Sequence, residues 1–324
     1  MAQIGYHCSH EQHSPSSLLR YVLAAEQAGF ESAMCSDHFA PWSVREGQGQ
    51  SGFAWSFLGS ALQASKLSFG TVNAPGQRYH PAIVAQAAAT LAEMYPERFW
   101  LALGSGEALN EHITGDAWPD KPKRMARLRE CVEILRALFA GETVTHEGLV
   151  QVREAKLYTR PERPPAIFGA AVSASTAEWV GSWADGLITI ARPEAELRKV
   201  VQSFRRGGGA GKPMYLQAAL CFEATEQAAL EGAYEGWRTN AIPSPDFLAD
   251  TRLPEHFDAA ATFVRPEDVR SCVRISADPR QHADWLESDS ALGFERIYVH
   301  HVGENQARFI EAFASKVLPL LRNS

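Results

Sequence analysis

The sequence predicts an α/β chain folded as a single (β/α)8 TIM barrel with insertions. Three observations lead there: short β-rich runs alternate with longer stretches of helical period, eight such pairs can be counted, and no linker or composition shift divides the 324 residues. A doubly wound open sheet usually has fewer strands or a second domain. The predicted strands are Gln3 to Tyr6, Ser32 to Cys35, Leu67 to Val72, Phe99 to Leu103, Ala166 to Gly169, Gly186 to Thr189, Met214 to Cys221 and Arg296 to His300. Helices follow each, most plainly Ser17 to Ala28 before Gly29, Pro81 to Met94 with proline in its first turn, and Lys123 to Ala140 before Gly141. Two stretches interrupt the rhythm and read as insertions, near 141–165 and 241–266. The first holds a hairpin from Val144 to Val152 around Glu147-Gly148; the second, rich in proline, is either a packed surface loop or a cover for the site.

Composition narrows the function classes. With 45% hydrophobic residues the chain has ample material for a core, and 31 basic against 38 acidic residues give a net charge of −7 with no basic stripe. Nucleic acid is therefore not an expected partner. No run approaches the roughly 18 apolar residues of a membrane span, and Met1 to Arg20 lacks the sections of a signal peptide, so a cytoplasmic location is expected. Five scattered cysteines with no Cys-x-x-Cys pair read as reduced thiols, with Cys131 as a small core hydrophobe. The run Arg206 to Pro213 imitates a phosphate loop, but Arg206 stands where the first glycine belongs, Pro213 replaces the Ser/Thr, and the run falls at the wrong end of the barrel.

Active sites of such barrels form where the strands end, so the polar residues just after each strand are the candidates. His38 beside Asp37, with Glu107 after the fourth strand, suits proton transfer; singly, Asp37 can cap a turn, His38 can be structural and Glu107 can begin a helix. Glu11, Asn73, Asn110, Thr189 and Arg192 also follow strands, and Trp42 can either cover a flat ligand or simply pack. His7, His10 and His13 invite a metal hypothesis, yet their spacing suits a loop more than a closed shell, and no metal is expected. Gly104-Ser-Gly106 lacks the third glycine of a dinucleotide fingerprint but permits close approach of a planar cofactor. Ser173, Ser175 and Thr176 open a helix and form either a phosphate pocket or a simple cap.

Taken together, Ser36-Asp-His-Phe-Ala-Pro-Trp42, Arg78-Tyr-His-Pro81, Gly104-Ser-Gly-Glu-Ala-Leu-Asn-Glu111 and Arg124-Met-Ala-Arg-Leu-Arg-Glu130 resemble the bacterial luciferase-like superfamily. The resemblance runs from Gly5 almost to the end and is greatest to the branch containing deazaflavin-dependent glucose-6-phosphate dehydrogenase. It implies a flavin or coenzyme F420 held at the strand ends, a homodimer, and catalytic roles for His38, Glu107, Trp42 and Glu11. The implied cofactor-binding set is Asp37, Asn73, Gly106, Asn110, Ala171, Ser173, Ser175, Thr176 and Thr189, with Arg192 left for the substrate. The branch's basic residues for a sugar phosphate are missing near Asp258 or Ala259 and at Cys272, so glucose 6-phosphate is not the expected substrate. The counterpart of the branch's cis peptide falls at Val72-Asn73.

The expected function is a flavin-dependent oxidoreductase or monooxygenase acting on a small organic molecule. An F420-dependent dehydrogenase of an alcohol or sugar, a non-catalytic flavin-binding protein, and a glycoside hydrolase pairing Glu107 with Asp37 are the alternatives. Electrostatics favour FMN over F420, because only Arg78 and Arg192 are in view to meet the larger cofactor's extra anionic groups.

Overall fold

The computed structural model describes residues 1–45 and 49–322. Among the described residues eleven strands are formed: β1 (Gln3–Cys8), β2 (Ser32–Cys35), β3 (Ser68–Asn73), β4 (Phe99–Leu103), β5 (Val144–Glu147), β6 (Gln151–Ala155), β7 (Ile167–Ala170), β8 (Gly186–Ile190), β9 (Met214–Phe222), β10 (Arg274–Ser276) and β11 (Arg296–His301). Eight of them run parallel in the order β9-β11-β1-β2-β3-β4-β7-β8, and pairing of β8 with β9 closes the ring, giving the predicted (β/α)8 barrel. Each predicted barrel strand lies within a residue or two of its observed span. The short β10, which the sequence reading missed, adds to β9 with Arg274 opposite Leu220, beyond the register where β8 pairs.

Side-chain alternation decides what fills the barrel. Trp100, Phe168, Tyr215 and Tyr298 point inward; Phe168 stacks on Tyr215 at 4.3 Å, and Trp100 lies 5.1 Å from Tyr215. These rings need space that neighbouring strands supply by carrying glycine. A Cβ on Gly70 would lie 1.9 Å from the Trp100 indole, and one on Gly186 would lie 2.3 Å from Phe168. The aromatic plug is capped towards the strand ends by small or aliphatic chains, Val72, Ala102, Ala170 and Ile188. The result is an apolar floor under the barrel mouth.

Local signals set the helices. Pro81–Met94 begins with Pro81 after His80, whose ring accepts from Ala82 N, and Lys121–Ala140 is capped by Asp120 and ended by Gly141 at φ 89°. β5 and β6 form the predicted hairpin outside the barrel. The glycine run near 207 serves packing: a Cβ on Gly207 would lie 1.8 Å from the carbonyl oxygen of Glu178 in the helix Ala174–Gly181. The second insertion forms helices Pro245–Asp250 and Pro254–Ala261, which reach over the mouth as described below. All peptide bonds among the described residues are trans, Val72-Asn73 included.

Candidate functional site

β1 and β2 end side by side, with Cys8 opposite Cys35, so the residues that follow them share one edge of the mouth. Glu11 and His38 meet there, with His38 Nε2 3.4 Å from Glu11 Oε1. Glu107, arriving from the end of β4, places Oε2 4.0 Å from the same nitrogen. The two carboxylates differ in environment. Glu11 is buried, and its Oε2 accepts from the Ser36 hydroxyl and, at 3.0 Å, from Ser9 Oγ. Burial pushes its pKa up, but His38 and the Ser36 hydrogen bond outweigh that and leave it below the ordinary value. Glu107 keeps 37% of its side chain exposed to the mouth, and lost hydration, opposed by His38 and aided by the charges of Glu11 and Glu111, holds its pKa above the ordinary range. One acid is thus favoured as the anion while the other keeps its proton to higher pH than an ordinary carboxyl group.

Asn110, on the short helix Ala108–Glu111, accepts backbone N–H groups of Phe39 at 2.9 Å and Ala40 at 3.4 Å, and its Nδ2 lies 3.3 Å from His38 Nδ1. Trp42 leans over His38 at 5.2 Å between ring centroids and stands edge-on to buried Phe257 at 5.2 Å. The second insertion therefore does cover the site. Its Asp258 accepts from Ser43 Oγ at 2.6 Å and Val44 N at 2.9 Å, while Asp250 takes the Trp118 indole N–H at 2.8 Å.

Asp37 faces the other way, into a buried network. Its carboxylate accepts from Asn73 Nδ2 at 2.6 Å and Tyr79 OH at 2.9 Å, and Arg78 Nη2 lies 3.5 Å from it. Arg78 also pairs with buried Glu111, Nε to Oε1 at 3.3 Å, while Glu111 Oε2 accepts the Arg78 backbone N–H at 2.7 Å. This corrects two readings. Asp37 is fully engaged with a side chain only 1% exposed, so it cannot share a substrate with Glu107 as a glycosidase pair. Arg78 is committed to two carboxylates and is not free to meet a cofactor anion.

The remaining predicted residues divide. Asn73 is buried with Oδ1 unpartnered among the described residues, Gly106 turns at φ +81°, and Ala171 is buried beside β8, its N–H bonded to Ile188 O at 3.1 Å. Ser173 caps its helix by accepting from Thr176 N at 3.3 Å, and Ser175 and Thr176 lie within reach of its hydroxyl. Thr189 sits between Ile188 and Ile190, so alternation turns it to the outer side of β8, where its hydroxyl is buried and unpartnered among the described residues. Arg192 lies half-buried near Glu196, 3.7 Å away. The three early histidines do not converge. His7 packs 4.5 Å from His300, His10 stands edge-on to Phe57, and His13 stands edge-on to Tyr21. Among the described residues no group of three or more His, Cys, Asp or Glu is disposed to hold a metal.

Ser9, Ser36, Tyr79, Phe257 and Asp258 were missed from the sequence. Ser36 had a signal, since it precedes Asp37-His38 and shares the inward alternation of Met34; the others meet their partners only through the fold.

Residues 1–296 match the luciferase-like monooxygenase family. The chain belongs to that family. It is 34% identical over 333 residues to an F420-dependent glucose-6-phosphate dehydrogenase of Beutenbergia cavernae, covering 99% of this chain and 98% of the relative, and 33% identical to one of Nakamurella multipartita, covering 99% and 96%. Among solved structures it is similar to an F420-dependent secondary alcohol dehydrogenase in complex with an F420-acetone adduct, at TM-score 0.90, 28% identity and 99% of both chains. The family member described here is an enzyme, an oxidoreductase, and a non-catalytic role is set aside.

Proposed function

We propose that the chain is an F420-dependent dehydrogenase that interconverts an uncharged secondary alcohol and its ketone. The observation that carries the reading is the row Glu11, His38, Glu107 at the rim of an apolar floor, in a chain similar to F420-dependent dehydrogenases over almost its whole length. Coenzyme F420, when bound, supplies a ring that takes up or returns a hydride.

The residues present fit such a group. The floor of Val72, Ala102 and Ala170 is small and apolar, the unpartnered Asn73 Oδ1 is a buried acceptor, and Gly106 leaves backbone exposed to close approach. Ser173, Ser175 and Thr176 add hydroxyls and free amides at a helix start. The electrostatic preference for FMN rests on how few cations follow the strands, Arg78 and Arg192 being the exceptions. With Arg78 bound to Asp37 and Glu111 still fewer cations are free, which does not weaken that preference; the F420 dependence of dehydrogenases similar over almost the whole chain outweighs it and favours the deazaflavin. A monooxygenase reading draws support only from the family's description.

Charge argues for an uncharged substrate. Arg45 is spent on Glu235 and Asp258, Arg78 on Asp37 and Glu111, and Arg192 lies by Glu196, while Glu11 and Glu107 face the reacting position. A phosphate monoester entering this mouth meets carboxylates before it meets a free cation. In the proposed reaction Trp42 excludes water above the substrate, and the Glu11-His38-Glu107 row holds and moves the hydroxyl proton. The test is equilibrium titration of the protein with F420 and with FMN. F420 should bind at least about tenfold more tightly, a difference of about 1.4 kcal/mol; equal or tighter FMN binding overturns the assignment.

A further inference from the structure

The hydrogen-bond chain around His38 is directional, and its direction is fixed at one end by the main chain. A backbone N–H can only donate, so the two N–H groups of Phe39 and Ala40 identify the Asn110 atom they meet as the carbonyl oxygen. The other end of that amide, Nδ2, can then only donate, and it faces His38 Nδ1 at 3.3 Å. At the far side of the ring, Nε2 faces an acceptor, Glu11 Oε1, at 3.4 Å. Glu11 cannot turn away, because its second oxygen is held by the Ser36 and Ser9 hydroxyls.

We propose that Asn110 is a positioning residue that fixes the neutral ring of His38 in the tautomer protonated at Nε2. In the resting site His38 is then a donor towards Glu11, with no lone pair turned to the mouth. The open carboxylate of Glu107 is left as the free proton acceptor of the row. This division follows from acceptor geometry: the Nδ1 lone pair is taken by the Asn110 amide, both Glu11 oxygens are occupied, and Glu107 alone keeps substantial exposure, 37% of its side chain. Changing the tautomer would set two N–H groups against each other at Asn110 and two acceptors against each other at Glu11, so each contact opposes it independently.

The inference deepens the proposed dehydrogenase reading, but its readout needs neither cofactor nor substrate. Protein labelled with 15N in its histidine rings is examined at alkaline pH, where imidazole is neutral, and His38 is assigned by difference from His38→Gln. The Nε2-protonated form should exceed the other by roughly tenfold. In Asn110→Asp the same-shaped carboxylate still accepts from Phe39 and Ala40 and now also accepts a hydrogen bond from the ring, so the ring should carry its proton at Nδ1 and that signal should move to its protonated position. A wild-type ring protonated at Nδ1 overturns the proposal, as does an Asn110→Asp spectrum in which Nδ1 stays bare. If the aspartate variant does not fold, the wild-type spectrum alone decides. Failure to bind or reduce F420 would count against the dehydrogenase reading and leave the tautomer assignment standing.

Discussion

Replacing Arg78 with leucine should expose how the mouth is held together. The guanidinium reaches Asp37 O at 3.0 Å, Asp37 Oδ1 at 3.5 Å and Glu111 Oε1 at 3.3 Å, and lies 4.4 Å from the centre of the Tyr79 ring. Both carboxylate side chains are 1% exposed, so the variant leaves two buried anions without their cation. Breaking a buried pair from one side costs about 3 to 5 kcal/mol, on the order of 100- to 5,000-fold in the folding equilibrium. The pH dependence gives a second, independent check. Burial already holds Glu111 above the ordinary carboxyl pKa, and Arg78 is the main influence pulling it down. Without Arg78 the folded pKa rises further, so the folded state takes up a proton before the unfolded state does. The deficit should therefore be largest at alkaline pH and shrink as pH falls through that raised value. Urea unfolding of both proteins from pH 8 to pH 5 measures it. A deficit below about 1 kcal/mol, or one that does not change with pH, refutes the account of the network.

Other expectations concern the row, the barrel and the histidines. His38→Ala and Glu107→Gln should each lower turnover by about 100- to 10,000-fold while changing the dissociation constant for F420 little, as read by kinetics and titration of the same preparations. Glu107→Gln should also match or exceed wild-type stability at alkaline pH, because it removes a carboxylate whose folded pKa burial has raised, and that gain should fade as pH falls through the folded value. Gly70→Ala should destabilise by about 3 kcal/mol or more, since the new methyl would sit 1.9 Å from Trp100; normal denaturation would show that the plug is not rigid. Burial lowers His7 to about 4 and His301 to about 3, so these rings stay neutral when folded, and stability should decline as pH falls below about 6.5 towards those values.

The sequence and the structure agree where periodicity and punctuation act locally. Pro81 and Gly141 mark helix ends whatever the rest of the chain does, and β-rich runs separated by helical period leave few closed arrangements other than a barrel. Listing strand-end residues brought Glu11, His38 and Glu107 into view because the barrel delivers every such position to one mouth. What sequence order cannot convey is which way a polar residue turns once it arrives. Asp37 and His38 are adjacent, yet one points into the Arg78 network and the other into the mouth, and Thr189 is turned outward by the alternation of β8. Partners drawn from distant segments were equally hidden: Asp258 meets Ser43 across 215 residues, so its role in steadying the Trp42 loop has no local signature. The glycines opposite Trp100 and Phe168 are legible only when strands are paired, because a strand glycine has no apparent use until the ring it makes room for is known.

The most direct test of the central claim is the initial rate at which the purified protein reduces F420, followed by loss of the oxidised coenzyme's visible absorbance, with a series of short secondary alcohols and with glucose 6-phosphate. The account predicts reduction by at least one uncharged secondary alcohol and none by the sugar phosphate, because the arginines flanking the mouth are already matched to carboxylates. Efficient reduction by glucose 6-phosphate, or failure of every alcohol with a protein that binds F420, would contradict it.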